Sequence, residues 1–218
     1  MRIACLHTAE SNIEVFEAAL RELGRDDVTL RHEVRADLLL AAERLGEVTD
    51  AIKEETQAVL LALCADADAV VLNCSTLGEV AEGLGHARVP VVRVDRALAE
   101  AAARAGGWIV VLCTAVTSIG PTTALFNEVA AGRRVEVRLV VDAWAMFRGG
   151  DRHGYFAVIA AAAEAAYAEG ASVVALAQAS MAGAARLVHG GDMPLTSPAS
   201  ALTAAIAAAG ATPILARH

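Results

Sequence analysis

Cys74 is the residue whose type and position point most directly to chemistry. It stands in the sequence NCST, directly after the apolar run 69–73 and before a helix-like segment. The positive end of a helix stabilises a thiolate, and a thiolate acts as a base or as a nucleophile. A buried, inert thiol is the alternative interpretation, and it is the one that we favour for Cys5 and Cys64.

Two other strand ends carry groups suited to proton transfer. His7 ends the first apolar run, and histidine ordinarily titrates near neutrality, so His7 is a candidate acid or base. Bonding to the backbone alone is its alternative role. Cys113 ends a later apolar run and is the third candidate, with burial in the core as its alternative. We expect no bound metal, because no two histidines, cysteines or carboxylates show the spacing of metal ligands.

Small polar residues follow the same strand ends. Hydroxyls, amides and free backbone N–H groups at helix starts bind anions, and a carboxylate suits such a site. The candidate substrate-binding residues are Thr8, Ser11, Asn73, Ser75, Thr76, Thr114, Thr117, Gln178 and Ser180. Capping is the alternative role of Ser11 and Thr76, because a glutamate follows each of them three residues later, as in a capping box. The sequence has no GxGxxG or Walker pattern that would indicate a nucleotide.

The elements that must position these residues are short strands and amphipathic helices. Apolar β-branched runs alternate with helix-like stretches, which predicts parallel sheets covered by helices. The predicted strands are 2–7, 28–34, 69–73, 89–92, 108–113, 135–140, 172–177 and 193–195. Helices are predicted at 12–23, 50–65, 96–105, 155–169 and 199–209. The Gly-rich segment 148–156 is interpreted as an ordinary connection, with a mobile lid as the alternative.

An internal repeat divides the chain into two halves. At an offset of 104 residues, segment 67–81 aligns with 171–185, and at an offset of 106, segment 3–8 aligns with 109–114. We therefore predict an α/β fold of two pseudo-symmetric, Rossmann-like parallel-sheet domains. The predicted domains are residues 1–93 plus 199–218, and residues 94–198. Open parallel sheets bind ligands beyond the carboxyl ends of their strands, so the site is predicted in a cleft between the domains.

Composition limits the classes of partner. The net charge is −8, which argues against nucleic acid and anionic membrane as partners. The uncharged stretch 193–216 contains three prolines, so it is interpreted as a core helix and not as a membrane span. The four cysteines lack CxxC spacing and no signal peptide is recognised, which predicts reduced thiols and a cytoplasmic location. We expect a small-molecule carboxylate as the partner and leave homo-oligomer formation open.

Four blocks of the sequence resemble the aspartate/glutamate racemase superfamily, which includes hydantoin racemases, maleate isomerases and arylmalonate decarboxylases. They are IACLHT (3–8), NCST (73–76), TAVT (114–117) and AQASM (177–181). The resemblance implies two pseudo-symmetric α/β domains, no cofactor, and an interdomain site where two cysteines remove and return the α-proton. Cys74 matches the first of these cysteines. The positions that hold the substrate carboxylate are matched by Asn73, Ser75, Thr76, Thr114 and Thr117.

Two residues depart from the superfamily pattern. The second catalytic cysteine falls at Gln178, and glutamine does not exchange a proton at neutral pH. An acidic residue at the end of the first strand falls at His7, so His7 or Cys113 would be the second acid–base group. The resemblance implies a cofactor-independent racemase or isomerase that uses cysteine-based proton transfer on a small carboxylate or amino-acid-like substrate. A one-cysteine decarboxylase of the arylmalonate type and an inactive carboxylate-binding protein are the alternatives.

Overall fold

The chain folds into two compact units in a computed structural model, which describes residues 1–211. The first unit contains Met1–Asp95 together with residues 201–211, and the second is Arg96–Ser200. Each unit is built on one four-stranded parallel sheet with helices, so the predicted α/β parallel-sheet class is confirmed. The segment 212–218 of the predicted first domain lies outside the described residues.

The first unit has its sheet in the order β2-β1-β3-β4. Its strands are β1 (Arg2–His7), β2 (Thr29–Val34), β3 (Ala69–Asn73) and β4 (Val91–Arg93). Its helices are α1 (Asn12–Glu22), α2 (Ala36–Leu45), α3 (Asp50–Leu63) and α4 (Glu79–Glu82). In the register of the sheet, His7 is level with both Val34 and Asn73. The carboxyl ends of β1, β2 and β3 therefore meet at one edge, where the predicted polar residues lie.

The second unit has the order β6-β5-β7-β8. Its strands are β5 (Ile109–Cys113), β6 (Val135–Leu139), β7 (Val173–Leu176) and β8 (Leu195–Thr196). Its helical segments are α5 (Val94–Ala105), α6 (Val116–Val129), α7 (Ala143–Arg148), α8 (Arg152–Ala168) and the 3₁₀ segment Ala179–Leu187. The last helix, α9 (Ser197–Ala211), begins in the second unit and continues into the first.

The two sheets have the same strand order. Replacing β1 to β4 by β5 to β8 converts the first order into the second, and every described pair of neighbouring strands is parallel. The strands aligned by the sequence repeat, β1 with β5 and β3 with β7, are the two central strands of each sheet. The repeat seen in the sequence therefore corresponds to a repeated topology.

The central strands are apolar because both of their faces are covered. Every residue of β3, β5 and β7 is buried, and in β1 only Arg2 is exposed. The edge strands β2 and β6 carry charged residues and are only partly buried. This contrast is the one expected for parallel sheets packed between helices. No helix among residues 1–211 is long and apolar enough to cross a membrane.

Prolines shift two of the predicted strands. The strands predicted at 89–92 and 193–195 are observed at Val91–Arg93 and Leu195–Thr196, directly after Pro90 and Pro194. Proline has no N–H to donate to a neighbouring strand, so it stands at the start of a strand.

The Gly-rich segment is a short connection from α7 to α8, where the Asp151 side chain caps α8 by accepting from the Gly154 N–H at 2.9 Å.

The predicted capping boxes do not form. Ser11 precedes α1, but it has helical backbone angles and its side chain makes no capping hydrogen bond. Thr76 lies before α4, whose N-cap is Gly78. Both interpretations were based on residue spacing alone: Ser11 occupies the N-cap position without extended backbone angles, and the turn before α4 moves its N-cap two residues past Thr76.

Candidate active site

Cys74 lies at the end of β3 inside a ring of hydrogen-bond donors. The Thr8 and Thr76 hydroxyls and the backbone N–H groups of Thr76 and Leu77 lie near its sulfur, where they favour the thiolate and act to lower the pKa. Thr8 follows β1, the strand next to β3, so the sheet register brings these residues together. Only 8% of Cys74 is exposed. Donors of this kind stabilise a thiolate when one forms.

The balance of these effects differs from the sequence-based prediction. Burial raises the pKa of the Cys74 thiol, and the hydrogen bonds from Thr8, Leu77 and Thr76 only partly oppose this rise. The sequence predicted a lowered pKa from a helix starting directly after Cys74. That prediction was wrong, because α4 begins only at Glu79 and is four residues long. The resting form is therefore the thiol.

His7 is the centre of a chain of hydrogen bonds that runs from β3 to α1. Asn73 Nδ2 donates to His7 Nδ1 at 3.1 Å, and His7 Nε2 lies 2.9 Å from His32 Nδ1. His32 Nε2 lies 3.1 Å from Glu17 Oε1. One set of tautomers satisfies every link: His7 is protonated at Nε2 and His32 at Nε2, with the carboxylate of Glu17 as the final acceptor.

His7 is neutral at physiological pH. Burial, with a smaller contribution from His32, lowers its pKa to about 4. The sequence predicted a group that titrates near neutrality, and this is corrected: a fully buried imidazole loses the hydration that stabilises its charged form. His7 therefore serves as a neutral hydrogen-bond partner at pH 7, and it holds the amide of Asn73 in place.

Arg93 supports the loop that carries Cys74. Its guanidinium is bonded to Asp95 at 2.7 and 2.9 Å and to Glu82 at 2.8 Å, and it packs against Gly78. A Cβ at Gly78 would lie 2.4 Å from Arg93 Nε. Glycine at position 78 thus allows the close approach of an anchored guanidinium to the turn after NCST.

The second unit has its own polar cluster after β5 and β7. Gln178 Oε1 accepts from the Thr114 backbone N–H at 2.8 Å and from the Thr114 hydroxyl at 2.7 Å. Because Thr114 occupies the amide oxygen, Nε2 is the group with which Gln178 can donate to a ligand. Thr114 is 3% exposed and Gln178 is partly exposed, so the pair lies at the border between core and solvent.

Tyr155 also belongs to this cluster, although the sequence pattern indicated it only as the start of a helix at 155–169. Its hydroxyl lies 2.9 Å from Ser180 Oγ and also hydrogen-bonds Thr114. Burial raises its pKa, and these two bonds oppose the rise. The available sequence signal was modest: Tyr155 is one of two tyrosines in the chain.

The remaining candidates lie apart from these two clusters or at their rims. Cys113 is fully buried, and its thiol is hydrogen-bonded to the side chains of Ser118 and Thr122 on α6. The Cys113 Sγ to Thr122 Oγ1 distance is 3.8 Å. Burial raises its pKa, so it is also a thiol. Four candidate residues are exposed, namely Ser11, Ser75, Thr76 and Thr117.

Within residues 1–211, one group of possible metal ligands forms although no spacing in the sequence indicated it. Cys5, His7 and His32 each offer one ligand atom, and these atoms all lie within 4.8 Å of one another. Two of the residues lie on β1 and the third on β2, so only the strand pairing brings them together.

A sequence model of the Asp/Glu/hydantoin racemase family matches residues 8–206 of the chain. The chain belongs to this family. No curated protein sequence matches it. Solved structures of similar fold extend the comparison. An allantoin racemase from Pseudomonas fluorescens is 19% identical, with a TM-score of 0.64, and the match covers 95% of this chain and 90% of that one.

Two further structures show the same fold. The aspartate racemase of Picrophilus torridus is 12% identical, with a TM-score of 0.68, and the match covers 96% of this chain and 94% of that one. A glycine-to-cysteine variant of arylmalonate decarboxylase, in its sulfate-associated form, is 18% identical, with a TM-score of 0.63 and coverage of 97% and 94%. The family resemblance stated from the four sequence blocks is therefore confirmed for this Asp/Glu/hydantoin racemase family member.

Proposed function

We propose that this chain is a cofactor-independent enzyme of the racemase and isomerase type that transfers a proton through Cys74. Its substrate is a small carboxylate or an amino-acid-like acid, and the proton moves at the carbon beside the carboxylate. The observation that supports this most strongly is the ring of donors around the Cys74 sulfur. Thr8, Thr76 and Leu77 would stabilise the thiolate that forms each time the thiol gives up its proton.

Substrate carboxylate binding would use the polar residues of each unit. Asn73, Ser75 and Thr76 follow β3 in the first unit, and their hydroxyls, amide and N–H groups suit an anion. In the second unit, Nε2 of Gln178 would donate to a carboxylate or carbonyl oxygen. Activity measurements on variants of both sets decide whether they serve one reaction.

A second candidate function is decarboxylation with protonation on one face. Two points favour it: the resting form of Cys74 is a thiol, and the family resemblance puts Gln178 at the position of the second catalytic cysteine. In this reaction the bond to one carboxylate breaks, CO₂ leaves, and the electron pair stays on the carbon as an enediolate. That carbon takes the proton of Cys74, and the thiolate regains a proton from solvent.

The test is isotope exchange in deuterated water with a panel of amino acids and arylmalonic acids, followed by NMR. We expect deuterium at the α-carbon with wild-type protein and a loss of at least about 100-fold with Cys74→Ala, since acid–base groups contribute about 10²–10⁴-fold. Cys64→Ala is the matched control, because Cys64 is a buried cysteine at the end of α3 and should not affect exchange.

The pattern of products separates the candidates. Exchange in both enantiomers supports racemisation, exchange in one enantiomer supports one-base chemistry, and release of CO₂ supports decarboxylation. If wild type and Cys74→Ala bind an acid of the panel equally well and neither exchanges a proton, the enzyme proposal fails and the binding-protein alternative replaces it.

A further inference from the structure

Cys5, His7 and His32 form a cluster of soft and borderline ligands inside the first unit. Cys5 and His7 are two residues apart on β1, so their side chains lie on the same face of the sheet. His32 of β2 is level with Cys5 in the strand register. The three ligand atoms all lie within 4.8 Å of one another, which allows one ion to contact all three. Sulfur and imidazole nitrogen are the ligands that Zn²⁺ prefers.

The outer nitrogens of both histidines already have hydrogen-bond partners. His32 Nε2 lies 3.1 Å from the Glu17 carboxylate, and His7 Nδ1 lies 3.1 Å from the Asn73 amide. The inner nitrogens, His7 Nε2 and His32 Nδ1, face each other at 2.9 Å. His32 has the arrangement usual in metal-binding histidines, in which the outer N–H donates to a carboxylate and the inner nitrogen is left for the ion. His7 differs, because its outer nitrogen accepts from Asn73 and its inner nitrogen carries the proton, so it would have to change tautomer to bind an ion.

The charges around the cluster suit a divalent cation. Burial and the Glu17 carboxylate raise the pKa of the Cys5 thiol, so Cys5 is neutral until an ion displaces its proton. The resulting thiolate and the Glu17 carboxylate would then balance the two positive charges of the ion within a buried environment. Cys5 and His7 are fully buried, whereas the side chains of His32 and Glu17 are 12% and 40% exposed. An ion would therefore enter past His32 and Glu17.

We propose that Cys5, His7 and His32 bind one divalent ion of the Zn²⁺ class, with Glu17 and Asn73 orienting the two imidazoles. Binding removes the proton of the Cys5 thiol, which is released to solvent. The proton on His7 Nε2 moves to Nδ1, and the Asn73 amide turns to accept it through Oδ1. Water fills a fourth position. Asn73 belongs both to this site and to the proposed carboxylate-binding set, but the metal-binding measurements below need no turnover, so they test this site separately from the proposed function.

The experiment is a titration of tag-free, chelator-treated protein with Co²⁺, followed by absorption spectroscopy, and then with Zn²⁺, followed by thermal unfolding. We expect one Co²⁺ per chain, a thiolate-to-cobalt charge-transfer band and tetrahedral d–d bands, and a higher unfolding midpoint with Zn²⁺. Cys5→Ala should remove the charge-transfer band, whereas the control Cys64→Ala should keep it.

Two variants keep the test decisive if Cys5→Ala does not fold. His32→Gln changes a side chain near the surface and should weaken Co²⁺ binding at least about 100-fold. Glu17→Gln, which removes the negative charge of the outer partner of His32 but keeps an acceptor oxygen, should weaken it about 10- to 100-fold. The proposal is wrong if wild-type protein shows no charge-transfer band, or if the band survives in His32→Gln with unchanged affinity.

Discussion

The side chain of Gln178 ends in two different groups, and Thr114 occupies only one of them. Changing Gln178 to Glu keeps an oxygen for Thr114 and replaces the Nε2 donor by a negatively charged oxygen. For an acid that the wild type turns over, we expect KM to rise at least about tenfold, since hydrogen bonds to charged groups contribute about 1.5–3 kcal/mol. Gln57→Glu, on α3, adds the same charge elsewhere and should leave KM unchanged. An unchanged KM in Gln178→Glu would exclude this role.

His7 makes stability depend on pH in a direction that can be worked out. Its pKa is about 4 in the folded protein and about 6.5 when exposed, so the unfolded chain binds more protons between these values. Stability is therefore complete above pH 6.5 and is lost as the pH falls towards 4. At pH 5 the loss from His7 is about 2 kcal/mol.

The measurement is urea unfolding of chelator-treated protein at pH 7.5 and pH 5, with His7→Gln as the comparison. Other groups contribute to the pH dependence of both proteins, so the difference between them isolates His7. His7→Gln should lose about 2 kcal/mol less than the wild type between the two pH values. Equal losses would show that His7 does not resist protonation.

At the scale of single residues, the sequence predicted which polar side chains lie at the strand ends, but it did not predict the protonation states of Cys74 and His7. The candidate residues were predictable because parallel strands end at one edge of their sheet, and Asn73 and His7 indeed lie level there. The raised pKa of Cys74 and the lowered pKa of His7 were not predictable, since desolvation depends on packing from several elements. The partnership of His7 with His32 was hidden because strand pairing creates it.

At the scale of the elements, Gly78 and Arg93 hold the turn after NCST against β4. Gly78→Ala would place a methyl group where the guanidinium lies, and Arg93 cannot move without breaking its ion pairs with Asp95 and Glu82. We expect a loss of about 1–3 kcal/mol in unfolding free energy, the usual effect of overpacking. Gly85→Ala is the control, because its Cβ would meet nothing within 4 Å. Equal stability of the two variants would contradict this account.

The elements themselves were largely predictable. The ranges of β1 and β3 were predicted to the residue, because buried parallel strands are uninterrupted apolar runs with polar ends. A helix was expected after the block at 114–117, but the range of α6 was not predicted, since Gly120 and Pro121 interrupt its pattern. A helix was also expected after Gln178, but not that Ala179–Leu187 is a 3₁₀ segment, because Ala-rich sequence gives no signal that separates it from an α-helix.

At the scale of the whole molecule, the last helix ties the end of the chain to its beginning. Residues 201–211 cluster with the first unit although more than a hundred residues of the second unit separate them in sequence. Leu202 on α9 is fully buried, so Leu202→Ala should cost about 2–5 kcal/mol. We expect hydrogen exchange to accelerate first in β1 and β3. Thr203→Ala, at an exposed position of the same helix, is the control. Faster exchange confined to the second unit would contradict the assignment.

The repeated strand order has a consequence for how the two halves could diverge. Two identical subunits made from one gene must carry the same residue at equivalent positions, so a thiol after one strand implies a thiol after its counterpart. Once both copies are joined in a single chain, each position mutates alone. Cys74 after β3 and Gln178 after β7 are such a pair. A single chain with two similar halves thus permits different chemistry at equivalent positions, which a dimer of identical subunits does not.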